Sequence, residues 1–170
     1  MRFFSGFGFV GEAALFASRL PICDSPRSVA GFSLGAIRAC QYALETSSRI
    51  DRLALFSPAY FQDKDDRFVR LQLISYARDS AAYMRNFYAN CGMFDGRYAN
   101  RDPQEGDLSL SLNYKWRLDM FERLKNLSIS VYLGGKDNII NADKALDFFS
   151  KTNARIVYIK NANHLLQIEE

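Results

Sequence analysis

Between Ser28 and Glu45 the sequence changes its period within five residues. Ser28-Val29-Ala30 reads as a short buried strand, and Leu34 to Glu45 has the spacing of a helix. The joint between them is Gly31-Phe32-Ser33-Leu34-Gly35. A strand that turns into a helix this tightly has few options. Side chains two residues either side of Ser33 would collide with the packed strand and helix, so Gly31 and Gly35 fit there. The turn lifts the serine hydroxyl clear of a sheet and sets it at the positive end of the helix. The five-residue pattern arises by chance in about one chain in twenty of this length, so the flanking strand and helix carry the inference.

The same alternation continues. Arg2–Phe4, Arg52–Phe56, Ile129–Leu133 and Arg155–Ile159 are short apolar runs. Phe9–Leu20, ended by Pro21, and Ala142–Phe149 have helical spacing. Strands alternating with helices imply βαβ units and a parallel sheet. The middle, from about 60 to 126, reads as helical, with helices over Arg67–Tyr76, Ser80–Asn90 and Leu108–Leu124. The expected fold class is α/β: one domain over residues 1–170, a mostly parallel sheet of about five strands with helices on both faces, and a helical cap inserted at about 60–126.

Composition narrows the function classes. The chain has 170 residues, 48% of them hydrophobic, which is enough for a real core. A net charge of +3 is too weak to argue for nucleic acid. Cys23, Cys40 and Cys91 form no C-x-x-C pair, and the single histidine cannot complete the usual zinc site, so no metal and no cofactor is expected. Free thiols point to a reducing, cytoplasmic setting. The stretch Met1–Val10 has one Arg before an apolar run, but glycines interrupt it and Glu12 follows, unlike an export signal. No apolar stretch approaches the length of a membrane span, and no membrane partner is expected.

A serine hydroxyl needs a base to become a nucleophile. With one histidine in the chain, the choice falls on His164, just after the last strand and on the sheet edge where ligands bind in open α/β folds. Asp137 ends the penultimate strand after Gly134-Gly135-Lys136 and is placed to orient the imidazole; Asp63, Asp65 and Asp66 are its rivals. The order Ser33, Asp137, His164 suits a hydrolase with this topology. An oxyanion hole would take the Leu34 N–H, next to the nucleophile, and the Phe7 N–H from the loop Ser5-Gly6-Phe7-Gly8.

These motifs together, with Gly134-x-x-Asp137, resemble the α/β-hydrolase superfamily. More closely, the chain is similar to the short form of the bacterial pimeloyl-acyl-carrier-protein methyl ester esterases of biotin synthesis. Met1–Phe9, Arg70-Leu71-Gln72-Leu73 and Asn163-His164-Leu165-Leu166-Gln167 carry that likeness, which is weakest from about 92 to 107. Ser5 stands where the superfamily usually has histidine, and a nucleophile as early as position 33 implies a shorter sheet than usual. The resemblance implies hydrolysis of the pimeloyl methyl ester on acyl-carrier protein. That partner is acidic, and the six basic residues from Arg67 to Arg101 are all arginine: Arg67, Arg70, Arg78, Arg85, Arg97 and Arg101, opposed by Asp79 and Asp95. The first four are the candidate carrier-binding residues, unless they only solvate amphipathic helices. Phe61, Phe68, Leu71, Tyr76, Tyr83 and Phe87 are expected to line an acyl channel or to form the cap's own core. Two other readings remain: a general small-ester or thioester hydrolase without a carrier, and a non-catalytic binding protein on the same fold.

Overall fold

The computed structural model describes residues 1–17, 25–93 and 95–168. In chain order the elements are β1 (Arg2–Phe4), α1 (Ala13–Phe16), β2 (Ser28–Phe32), α2 (Leu34–Glu45), β3 (Arg52–Phe56), α3 (Asp66–Arg78), α4 (Ser80–Cys91), α5 (Glu105–Asn113), α6 (Leu118–Arg123), β4 (Ser128–Gly134), α7 (Ala142–Phe149) and β5 (Arg155–Ile159). The strands form one parallel sheet in the order β1-β2-β3-β4-β5. Parallel neighbours need crossovers, and every crossover here carries at least one helix.

Alternation along the strands sorts the core into two layers. Val29, Leu53 and Ile129 lie in register and, with Leu55, Val131 and Leu133, pack with Ile37 and Cys40 of α2 and Ala145 and Phe149 of α7. Ala30, Phe32 and Phe56 belong to the opposite layer, with Phe16 of α1 and the C-terminal Leu165 and Leu166. Aromatic rings fill that second layer: Phe16 lies 4.6 Å from Phe56 and 5.2 Å from Phe32, centroid to centroid. Each fully buried side chain of this size stabilises the fold by roughly 1.5–3 kcal/mol relative to exposure.

Four helices, α2, α3, α4 and α7, begin and end where the spacing predicts to within two residues; two regions differ. The expected helix over Phe9–Leu20 is α1, Ala13–Phe16, where the chain is described; residues 18–20 lie outside the described residues. Gly8 and Gly11 adopt φ of 74° and 73°, so the chain turns before the helix can start. The expected single helix Leu108–Leu124 is two, α5 and α6, separated by an extended link from Tyr114 to Arg117. Trp116 sits in that link. Its backbone N–H donates to Gln62 Oε1 at 2.7 Å and its indole N–H to the Ala59 carbonyl at 2.8 Å. These two hydrogen bonds, the indole's fully buried, and the packing of the indole on Phe149 outweigh the local preference for helix.

Candidate active site

Ser33 closes β2 and caps α2 with φ 52° and ψ −115°, a conformation that a non-glycine residue rarely holds. Its neighbours enforce it. Ser33 N–H donates to the Phe56 carbonyl at 2.9 Å, and Ala59 N–H donates to the Ser33 carbonyl at 3.2 Å. A Cβ on Gly31 would lie 2.0 Å from the Gly35 carbonyl oxygen, and a Cβ on Gly35 would lie 1.9 Å from the Phe4 carbonyl oxygen. Both glycines are therefore required by backbone-to-backbone approach, as the turn chemistry anticipates.

His164 and Asp137 meet at the same edge of the sheet. His164 Nδ1 is 2.6 Å from Asp137 Oδ2, and both side chains are fully buried. The other carboxylate oxygen, Oδ1, accepts the N–H groups of Ile139 at 2.7 Å and Ile140 at 3.0 Å. An acid held this way keeps the imidazole proton on Nδ1 and leaves Nε2 as acceptor. Nε2 is buried and has no hydrogen-bond partner. The imidazole packs on Phe32, the residue before Ser33, with ring centroids 5.0 Å apart. Gly134 and Gly135 allow this meeting: a Cβ on either would press within 2.5 Å of the backbone carbonyl oxygens of Asn163, Ala162 or Lys160. Lys136 N–H bonds the Ala162 carbonyl at 2.9 Å and ties the two loops together.

The loop after β1 faces the same edge. Gly6 packs on Phe32, and Phe9 N–H closes a turn onto the Gly6 carbonyl at 3.0 Å with Gly8 in the left-handed region. Tyr88 OH and Asn100 N–H both bond the Gly8 carbonyl, at 2.6 and 2.7 Å. Among the described residues, neither the Phe7 nor the Leu34 N–H donates to a protein acceptor. Both amides belong to segments that follow adjacent parallel strands, β1 and β2, at the edge that carries Ser33. Sequence reasoning overlooked Glu12, whose Oε1 accepts the Gly6 N–H at 2.8 Å. A lone acid inside an apolar stretch was the only signal for it.

Beside Asp137 lies a cavity of about 670 Å³ between α3, α4 and the loop after β4. Phe68, Tyr83 and Phe87 line part of it, but so do Gln72, Asn86 and Asn138. The expected apolar channel is thus half polar. Phe61 and Tyr76 are core residues, and Leu71 is half exposed. Arg67, Arg70, Arg78 and Arg85 are all exposed and form no ion pair among the described residues. At 3.6 residues per turn, Arg67, Arg70 and Arg78 share one face of α3 with the exposed Leu71 and Ile74. Asp63, Asp65 and Asp66 do not reach His164: Asp65 caps α3 through the Phe68 N–H, and Asp63 pairs with Lys64. Among the described residues no group of three or more His, Cys, Asp or Glu side chains is arranged to hold a metal ion. Among the described residues no helix is long and apolar enough to cross a membrane.

No family model matches this sequence, and no curated protein matches it. Solved structures share its fold. The chain is similar to an esterase from Exiguobacterium antarcticum (TM-score 0.64, 15% identity, 95% of this chain and 72% of that one). It is similar also to a lipase-esterase related protein from Clostridium acetobutylicum (0.63, 15%, 96% and 86%) and to a hydrolase from Oleispira antarctica (0.62, 12%, 86% and 62%). It spans 55% of the length of a Bacillus subtilis structure that it also matches. At these identities the likeness concerns the fold: five parallel strands with helices, the fold of the α/β-hydrolases.

Proposed function

We propose that this chain is a cytoplasmic serine ester hydrolase that cleaves the methyl ester of a pimeloyl group carried on acyl-carrier protein. The observation that carries the hydrolase reading is the strained Ser33 at the sheet edge where the buried His164–Asp137 pair ends. In the reaction, Ser33 Oγ attacks the ester carbonyl and its proton passes to His164 Nε2. The carbonyl oxygen takes the negative charge, which the Phe7 and Leu34 N–H groups stabilise. Collapse expels the alcohol, methanol for this substrate, with the proton returned by His164. Water then repeats the sequence and frees the carboxylate and Ser33. Asp137 keeps the imidazole in the right tautomer and stabilises it when charged.

The carrier assignment rests on the resemblance together with the α3 face. Three unpaired arginines flanking exposed Leu71 and Ile74 suit an acidic protein surface with an apolar centre. The polar lining beside Asp137 favours a second reading, a hydrolase of small polar esters with no carrier. Wild type and Ser33→Ala incubated with methyl pimeloyl-carrier protein, followed by mass, separate the readings. Demethylation that needs Ser33 supports the first. Cleavage of short nitrophenyl esters alone supports the second. No cleavage of either ester and no labelling by a fluorophosphonate would make the chain a binding protein.

A further inference from the structure

Glu12 sits at the start of α1 with no exposed surface. A carboxyl group in such a place needs a reason, because burial removes its water. The Gly6 N–H donates to Oε1 at 2.8 Å, and Oε2 has no partner. Gly6 immediately precedes Phe7, whose N–H has no protein acceptor.

We propose that Glu12 is a positioning residue: by holding the Gly6 N–H it fixes the direction in which the Phe7 N–H points, and so preorganises the oxyanion hole. The loop has three ties. Its Gly6 carbonyl is bonded by Phe9, its Gly8 carbonyl by Tyr88 and Asn100, and its Gly6 N–H by Glu12. The Phe9 bond holds the Gly6–Phe7 peptide by its carbonyl, and the Gly8 bonds act further along the turn. Glu12 restrains the preceding peptide, Ser5–Gly6, where β1 hands the chain to the loop, so that both sides of Gly6 are held and the Phe7 amide cannot swing about it. Without it the Gly6 N–H would be buried and unpaired, and the loop would rotate to recover a bond. Donors that must reorient during the reaction lose most of their effect. Burial raises the Glu12 carboxyl above its ordinary value, while the Gly6 amide and Ser5 hydroxyl pull the other way. The Gly6 N–H needs only an acceptor oxygen, charged or neutral, and glutamine supplies one.

The inference rests on the hydrolase reading, so its test has a catalytic and a non-catalytic arm. Wild type, Glu12→Gln and Glu12→Leu are compared on p-nitrophenyl butyrate, and the Gly6 amide proton is followed by NMR. The expected result is kcat within about threefold of wild type for Glu12→Gln. Glu12→Leu should lose about tenfold to a hundredfold in kcat with KM little changed, the mark of an interaction that acts in the transition state. The Gly6 proton should move upfield in Glu12→Leu only. Undiminished kcat in Glu12→Leu, or a Glu12→Gln as impaired as Glu12→Leu, overturns the proposal. Should Glu12→Leu fail to fold, Glu12→Asp, one methylene short, is read the same way. A wild type with no activity defeats the hydrolase reading instead, and an unmoved Gly6 proton then defeats the clamp separately.

Discussion

His164 Nδ1 and Asp137 Oδ2 lie 2.6 Å apart with neither side chain exposed, and Asp137 has no oxygen left uncommitted. Oδ2 serves the imidazole and Oδ1 serves two backbone amides. Asparagine cannot do both, since its NH₂ must face either the Ile139 and Ile140 amides or the imidazole N–H. Asp137→Asn should therefore lower kcat by about 10⁴ through the wrong histidine tautomer. Steady-state hydrolysis of a nitrophenyl ester checks it; a loss under tenfold would remove Asp137 from the proposed triad.

Ser33 holds φ 52° because the Phe56 and Ala59 backbones pin it. Such strain costs on the order of 1–3 kcal/mol, and glycine relieves it while losing some unfolded-state advantage. Ser33→Gly should gain about 1 kcal/mol, or roughly 2–4 °C in Tm, while losing fluorophosphonate labelling. Calorimetry on the two proteins reads this directly.

Gly35→Ala should fare far worse. Its new Cβ would meet the Phe4 carbonyl oxygen at 1.9 Å, and neither the β1 backbone nor α2 can move without opening the sheet. Destabilisation of about 3 kcal/mol or more is expected in urea melts. Gly106→Ala, which meets nothing within 4 Å, is the control and should be near neutral.

Charge reversal on α3, Arg67→Glu with Arg70→Glu, tests the carrier surface. Cleavage of carrier-bound substrate should fall at least tenfold, chiefly in kcat/KM, and lose its salt dependence. Hydrolysis of p-nitrophenyl butyrate should be unchanged. Equal losses on both substrates would place these arginines in the fold rather than at a docking face.

Glu12 also predicts a pH slope in stability. The buried carboxyl binds its proton more tightly than in the unfolded chain, where its value is 4.5. Its contribution is therefore complete below pH 4.5 and is lost as the pH rises through the folded value. Glu12→Gln has no proton to lose, so its Tm relative to wild type should rise above that pH. A constant difference from pH 4 to 8 would show that burial does not shift this group.

Much of the site was legible because its constraints are local. The glycines of the turn, the change from strand to helical period at Ser33, and the register of alternating apolar residues in β3, β4 and β5 are properties of short segments. A chain with one histidine also leaves a single imidazole candidate for a base. Glu12 was not legible, since nothing local distinguishes a buried acid from a solvated one. The same is true of the cavity's amides, which come from α3, α4 and a loop more than forty residues later.

The sequence by itself determined the strands, the elbow and the identity of the chemical groups, because backbone sterics and hydrophobic period act over a few residues. Tertiary structure decided the rest. Trp116 broke a helix that its neighbours favoured, because its two hydrogen bonds reach back to Ala59 and Gln62. Asp137 was chosen over Asp63, Asp65 and Asp66 by the approach of two loops through Gly134 and Gly135. Such contacts join residues tens of positions apart, and their energy exists only once the sheet has brought them together.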